Sequence, residues 1–389
     1  MILFVLLLAQ VVLVVLIAYQ LLTALWGLHV PHQRPVDERG LYRFRAVIPA
    51  HNEESVIGVL LDDLGRQDID RSRIMVHVVA DRCGDATADR AQPSDGVFER
   101  SDGEEGKGAA LQWYLDQAPL AEDEALVVLD ADNRIPAGFL RRLSLELDAG
   151  NTVLQAYVDA SNPGASLLST ASALTYWASN RMVQLSRRNL GWSSDLLGTG
   201  MCLTAAAVRA SGGFANSVTE DKELGARLLL AGHRVEWLHD ANIGDEKPKS
   251  LSATLGQRAR WASGRRATAR LYVPKLLRSA ARQRSIGLAD FALRLMQPSR
   301  AFLALITVVL LVLSATFRDS SRLLPLWIWV AVVTAQMLLP FIALALDRVP
   351  VRYLAQYPLI ATFGILWIPI GLLSRLRGGW FHTPHGDEQ

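Results

Sequence analysis

The chain has 389 residues, of which 50% are hydrophobic and 20% are charged, and its formal net charge is +2 at pH 7. The mean hydropathy of +0.19 is high for a soluble protein and low for a polytopic transporter, which argues against both classes. These numbers fit one soluble domain joined to a few membrane segments.

Residues 1–28 contain no charged side chain and exceed the ~20 residues that a membrane-spanning helix needs. A cleavable signal would carry positive charge before its apolar run, whereas here the first basic residue, Arg34, follows it. By the positive-inside rule, the N-terminus faces outward and the following domain is cytosolic. We therefore predict a transmembrane helix over 1–28 in an integral protein of the plasma or inner membrane.

Residues 40–256 alternate short apolar runs with helical patterns, which is typical of an α/β domain with a mainly parallel sheet. The predicted strands are 45–48, 75–80, 125–129, 152–157 and 234–237, with one further short strand inside the polar loop 92–106. The predicted helices are 53–65, 107–117, 138–147 and 220–231. Ligands bind beyond the carboxyl ends of the strands in such sheets, so the polar residues that follow each strand are the candidates for a site.

Asp130 and Asp132 come directly after a buried strand, one residue apart. Two carboxylates so placed can reach one hard cation, and Mg²⁺ or Mn²⁺ held this way can bind a diphosphate. Surface Asp-x-Asp pairs are also common, so this pair alone does not decide the chemistry. The glycine-rich fingerprints of dinucleotide-binding and P-loop proteins are missing from the sequence, which argues against both classes.

Thr219, Glu220 and Asp221 begin a predicted helix. Thr219 is suited to the N-cap, and acids in a first helical turn are favoured by the helix dipole, so a purely structural role explains them. The functional alternative is that Asp221 is a general base that takes a proton from a hydroxyl group.

Three further side chains are candidates for contacts to a phosphorylated sugar. Lys107 starts a helix and can contact phosphate, although a solvated lysine at a loop end is equally ordinary. Arg260 can pair with a diphosphate, and Trp261 can pack against a sugar ring. The alternative for Arg260 and Trp261 is a membrane-surface helix with an interfacial tryptophan.

Charge is unevenly distributed along the chain. Residues 29–256 carry 33 acidic and 23 basic side chains, whereas residues 257–300 carry 11 basic side chains and one acid, Asp290. A basic stretch that leads directly into an apolar run suits amphipathic helices on an anionic membrane surface better than nucleic-acid binding. Residues 301–374 hold uncharged runs at 301–317, 323–346 and 353–374, which predict two or three membrane segments before a polar tail at 375–389.

The order of these motifs resembles family 2 glycosyltransferases of the GT-A fold, in particular the membrane branch with cellulose, hyaluronan and chitin-oligosaccharide synthases and ceramide glucosyltransferases. The resemblance spans residues 45–266 and includes the pair Thr-Glu-Asp at 219–221 and Gln-x-x-Arg-Trp at 257–261. It implies nucleotide-sugar contacts from Ala50, Glu53, Asp81, Lys107, Asp130 and Arg260. It likewise implies metal ligands at Asp130 and Asp132, catalysis by Asp221, and acceptor contacts from Gly200, Glu220, Gln257 and Trp261.

The resemblance further implies an inverting single displacement from a UDP-sugar, with UDP-glucose or UDP-N-acetylglucosamine as donor and Mg²⁺ or Mn²⁺ as cofactor. We expect a growing polysaccharide as acceptor. The first alternative is a single membrane lipid, such as a ceramide, a diacylglycerol or a polyprenyl phosphate. The second alternative is a non-catalytic membrane scaffold, although all the expected acids are present.

Overall fold

The computed structural model describes residues 2–31, 38–318 and 320–359. Within them, one mainly parallel sheet is built from seven strands: β1 Arg43–Ala50, β2 Ile74–Asp81, β3 Gly96–Arg100, β4 Glu124–Val128, β5 Val153–Ala160, β6 Met201–Thr204 and β7 Glu236–Asp245. The strand order is β3-β2-β1-β4-β6-β5-β7. The predicted α/β fold is confirmed, and the five predicted strands and the short strand of the 92–106 loop all form.

β6 is the strand that the sequence analysis missed, and it pairs antiparallel with both β4 and β5. Its four residues are all buried, and a run this short has no recognisable alternation. The predicted strand at 234–237 also continues further, since β7 reaches Asp245 after a register shift opposite Ala156. This extension brings the acidic end of β7 to the carboxyl edge of the sheet.

Helices cover both faces of the sheet and continue into the membrane segments. The described helices are α1 Ile2–Ala24, α2 Ile57–Gly65, α3 Thr87–Arg90, α4 Lys107–Gln117, α5 Phe139–Asp148, α6 Leu167–Ser179, α7 Ser186–Asn189, α8 Ala205–Ser211, α9 Glu220–Leu230, α10 Leu251–Gln283, α11 Ile286–Met296, α12 Arg300–Thr316, α13 Leu326–Leu346 and α14 Val351–Leu354. The apolar side chains of β1 and β4 alternate between two cores, one packed under α2 and α5 and the other under α4 and α9. Burial of apolar surface on both faces is what such a sheet requires.

Two helical segments of the described chain are long and apolar enough to cross a membrane, Leu3–Leu28 and Leu326–Leu346. A third crossing is possible if α11 and α12, which are bent by 72° at their junction, act as one span. These helices indicate a membrane-associated protein. The third apolar run of the sequence, 353–374, and the tail at 375–389 lie largely or wholly outside the described residues.

The basic region after the sheet forms mostly one helix, α10, of 33 residues, followed by α11. Because α10 begins at Leu251, the predicted boundary between residues 256 and 257 falls inside a continuous helix. Gly264 lets this helix approach α9 closely, since a Cβ there would lie 2.7 Å from Thr219 Cγ2. The start of α10 therefore belongs structurally to the site that the sheet forms.

Candidate active site

Acidic side chains that follow or end two strands meet at the carboxyl edge of the sheet. Asp130 and Asp132 follow β4, and Asp245 ends β7. One carboxylate oxygen from each lies within 4.8 Å of the others. Burial, together with the charges of Asp245 and Asp130, raises the pKa of Asp132 well above its usual value.

This carboxylate cluster fits a divalent cation. Its donors are hard oxygen atoms, which Mg²⁺ and Mn²⁺ prefer, and the like charges of Asp130, Asp132 and Asp245 need a cation to be stable side by side. The observed proximity of three carboxylates therefore strengthens the metal site predicted from Asp130 and Asp132.

Asp245 was missed by the sequence analysis. Its Oδ2 accepts a hydrogen bond of 2.6 Å from Lys247 Nζ, and that buried ammonium lies 3.6 Å from the centre of the Tyr176 ring. An acid directly after the apolar alternation of β7 was a usable signal. The predicted strand ended at residue 237, so Asp245 was not among the residues that directly follow a predicted strand.

The segment before β6 contains two glycines and contacts Asp130 of the carboxylate cluster. Gly198 and Gly200 have φ angles of +84° and +63°, and a Cβ at Gly200 would lie 2.6 Å from Ile243 Cδ1. Between them, the Thr199 hydroxyl accepts a hydrogen bond of 3.0 Å from the Asp130 amide. Gly200 therefore has a packing role in the structure, and its predicted contact with the acceptor stays a prediction.

The predicted nucleotide-binding residues Ala50, Glu53 and Asp81 lie at the ends of β1 and β2. The Asp81 carboxylate accepts hydrogen bonds of 2.9 Å from Arg82 and 3.0 Å from Arg100. Arg100, the last residue of β3, was not singled out by the sequence. Asp81 thus accepts hydrogen bonds from two guanidinium groups. A nucleobase that binds Asp81 would share its carboxylate with the donors of Arg82 and Arg100.

Glu53 is largely enclosed at this edge of the sheet. Its backbone amide donates to the Thr87 hydroxyl at 2.8 Å. Burial raises the pKa of its carboxyl group to about 8, and the charge of Asp130 adds to the effect. A carboxyl group that is protonated at neutral pH can donate a hydrogen bond as well as accept one.

Lys107 connects the carboxylate cluster to the glycine segment. Its ammonium group binds the Asp130 carboxylate and donates to Gly198 O at 2.8 Å. Burial opposes its charge, but Asp130 and Glu220 outweigh that effect and raise the pKa of Lys107. Lys107 therefore stays charged at the point where the sequence analysis expects a diphosphate.

The acids at the start of α9 face the same space. Burial raises the pKa of Glu220 to about 7, and the neighbouring Asp221 charge contributes. The Asp221 carboxylate lies 3.2 Å from Lys222 Nζ. Thr219 occupies the N-cap position, but its hydroxyl contacts the Thr268 hydroxyl at 3.2 Å rather than closing the helix.

The first turns of α10 carry Gln257, Arg260 and Trp261, and Arg260 interacts with Glu220 and Asp130. Arg260 Nε is buried and has no hydrogen-bond partner among the residues that the structure describes. Burial lowers the pKa of Arg260, while the charges of Glu220 and Asp130 oppose that effect. Trp261 is 37% exposed, which leaves part of its ring free to contact a ligand. Arg260 thus has an unsatisfied donor and also interacts with the acids of the site.

Comparison with known families gives one clear match. The family described as "Glycosyl transferase family group 2" matches residues 125–347, which is more than half of the chain. The chain is also similar to two cyanobacterial proteins named beta-monoglucosyldiacylglycerol synthase. The protein from Trichormus variabilis is 26% identical over 271 residues, which cover 62% of this chain and 55% of that protein. The protein from a Synechocystis species is 28% identical over 228 residues, which cover 56% and 47%. The chain therefore spans about half the length of the curated relatives it matches.

Among solved structures, the chain is similar to a mannosyltransferase from Pyrobaculum calidifontis in complex with GDP-Man and Mn²⁺. The TM-score is 0.58 at 18% sequence identity, and the alignment covers 96% of this chain and 98% of the other. This likeness shows a shared fold over nearly the whole chain.

Proposed function

Since the chain belongs to glycosyl transferase family group 2, we propose that it transfers one hexose from a UDP-sugar to a diacylglycerol, with inversion at the anomeric carbon. The observation that carries the acceptor is the similarity to proteins named beta-monoglucosyldiacylglycerol synthase. UDP-glucose is the corresponding donor. The growing polysaccharide expected from the sequence lacks such support, and the lipid alternative fits the relatives better.

The arrangement of the site relative to the membrane helices supports a lipid acceptor. Helix α10 contributes Arg260 and Trp261 to the site and then continues for about six turns toward α11 and the apolar helices. Its middle part exposes Leu271 and Leu277 next to basic side chains, a pattern that suits a membrane surface. A diacylglycerol, whose hydroxyl group lies at that surface, can reach Trp261 without a channel. We place the sheet domain in the cytosol, at the plasma or inner membrane.

The carboxylate cluster of Asp130, Asp132 and Asp245 would hold the divalent cation. When bound, Mg²⁺ or Mn²⁺ supplies positive charge that neutralises the diphosphate of the donor. Lys107 and Arg260 add fixed positive charge beside the cluster, since both interact with Asp130. These side chains bind and orient the donor, and they stabilise the negative charge that develops on the leaving UDP.

The reaction itself is a single displacement. Asp221 accepts the proton of the acceptor hydroxyl group as its oxygen forms a bond to the anomeric carbon. The bond between that carbon and the diphosphate oxygen breaks at the same time, and UDP leaves with the electron pair. Attack from the face opposite to UDP inverts the configuration. Glu220 and Gln257 line the acceptor side, and Trp261 packs against the sugar.

The test uses purified full-length enzyme in lipid vesicles, supplied with UDP-glucose, 1,2-diacylglycerol and Mg²⁺ or Mn²⁺. Mass analysis should find a single monoglucosylated diacylglycerol, and the anomeric proton should have the β configuration by NMR. A ladder of products would instead mean a polymer. A panel with ceramide and polyprenyl phosphate identifies a different lipid acceptor, and absence of transfer to any acceptor would support a non-catalytic scaffold.

A further inference from the structure

Lys222 directly follows the proposed base and is enclosed in the protein. Its ammonium group lies 3.2 Å from Asp221 Oδ2 and donates a hydrogen bond to the backbone carbonyl of Leu196. The side chain is 22% exposed and that of Asp221 is 15% exposed. Lys222 therefore joins the first turn of α9 to the segment that leads to Gly198 and Gly200.

A second carboxylate, Asp195, also stabilises the charge of Lys222. Burial disfavours the charge of Lys222, but Asp221 and Asp195 outweigh that effect and raise the pKa of the ammonium group. Asp195 is itself held in place, since its amide donates to Gln184 Oε1 at 2.8 Å and its carboxylate binds Arg294. Arg294 also donates to Ser193 O at 2.7 Å. A network of alternating charges therefore runs from α11 to the proposed base.

Several charged side chains lie around Asp221, and their contacts show which cation faces it. On its own helix, Glu220 is a second carboxylate one residue away, and Asp221 contributes to the raised pKa of Glu220. From α4, Lys107 interacts with both acids but binds Asp130 directly. From α10, Arg260 interacts with Glu220 and Asp130. Among the residues that the structure describes, Lys222 is thus the cation in direct contact with Asp221.

We propose that Lys222 is a positioning residue for sugar transfer, which fixes the Asp221 carboxylate against the segment that leads to Gly198 and Gly200. This inference rests on the proposed role of Asp221 as general base. Asp195 serves Lys222 in turn by restricting where its ammonium group lies. Nothing in this arrangement requires Lys222 to touch the donor.

The experiment compares Lys222→Gln with Lys222→Arg in the full-length enzyme. Glutamine can still donate to Leu196 O but carries no charge, whereas arginine keeps the charge. We expect Lys222→Gln to lower kcat about 10-fold or more at pH 7 while leaving the KM for UDP-glucose within about twofold. Lys222→Arg should restore most of the rate.

A matched control is Arg66→Gln, which removes an exposed basic side chain from the sheet domain and should change neither kcat nor KM. A Lys222→Gln enzyme with wild-type turnover, or with a raised KM as its only change, would overturn the proposal. So would a Lys222→Arg enzyme that recovers nothing while unfolding at the wild-type temperature. Hydrolysis of UDP-glucose by water uses the same base without a lipid. If the wild type makes no glycolipid, the same ratios of variant to wild-type rate, measured on UDP-glucose hydrolysis, support the proposed role of Lys222. Only the proposed acceptor is then contradicted.

Discussion

Arg181 and Asp347 form a buried ion pair between the π-helical turn after α6 and the end of α13, with Arg181 Nε 2.7 Å from Asp347 Oδ1. The pair closes a network, since Arg181 also donates to Gly27 O at 2.9 Å and His239 Nε2 lies 3.2 Å from the same Asp347 oxygen. Two apolar helices and β7 are therefore joined through this ion pair.

We expect Arg181→Met to leave Asp347 buried without its guanidinium partner and with His239 as its remaining contact among the described residues. This should lower the free energy of unfolding by ~3–5 kcal/mol. Thermal unfolding of the enzyme in detergent measures the effect. Arg141→Met is the control, because its pairs with Glu38 and Asp68 are exposed and should contribute less than ~1 kcal/mol. Equal losses in the two variants would show that the pair does not hold these elements together.

Activity should depend on a divalent cation. Treatment with a chelator should abolish transfer, and adding Mg²⁺ or Mn²⁺ should restore it, because Asp130, Asp132 and Asp245 can bind a diphosphate only through a metal. Asp245→Asn should raise the cation concentration that gives half-maximal activity by about 10-fold or more, as loss of metal-site groups commonly does. Asp123→Asn, a change in an exposed ion pair, is the control. Full activity in chelator would contradict the metal site.

Asp221→Asn tests the proposed base. The change keeps the shape of the side chain but removes its ability to take a proton, so turnover should fall by about 100-fold or more. Affinity for UDP, measured by calorimetry, should stay near the wild-type value. Glu220→Gln is the comparison. It should lose less activity, because the Glu220 side chain points about 100° away from that of Asp221 around the helix axis. The opposite ranking would identify Glu220 as the base, in agreement with its pKa of about 7.

The raised pKa of Glu220 predicts how the stability of the donor-free enzyme depends on pH. Its pKa is about 7 in the folded protein against 4.5 in an unfolded chain, so the folded state binds the additional proton between these values. The stabilisation from this group is complete below pH 4.5 and is lost as the pH rises through 7. Glu220→Gln should therefore reduce the drop in unfolding temperature between pH 6 and pH 8, and Glu122→Gln, at an exposed site, should not.

Basic side chains on the exposed part of α10 should promote activity on anionic membranes. Arg270 and Arg278 are exposed, and each such charge contributes ~1 kcal/mol to binding an anionic surface. The double change to Gln should weaken the stimulation of transfer by anionic lipid in vesicles. Changing the exposed Arg66 and Arg209 of the sheet domain is the control. Arg265, by contrast, is largely enclosed and interacts with Asp195, so it is not part of this surface.

Local patterns in the sequence were enough to predict much of this protein. Apolar runs gave the positions of five strands, and α4 begins at Lys107 and ends at Gln117 as predicted. Asp130 and Asp132 were found because an acid that follows a buried strand must lie at the carboxyl edge of the sheet. The uncharged first 28 residues predicted the N-terminal membrane helix in the same way, from composition alone.

Only the tertiary structure decided which distant residues meet. Asp245 lies beside Asp132 because β7 pairs with β5 rather than lying at the opposite end of the sheet. No local run of residues determines the order of the strands. The antiparallel β6 could not be predicted from the sequence either, because its four residues are all buried and show no periodicity. The contact of Asp195 with Arg294 joins residues 99 positions apart and depends on how α11 packs. Local spacing determines elements and their ends, whereas contacts between elements follow from the packing of the whole chain.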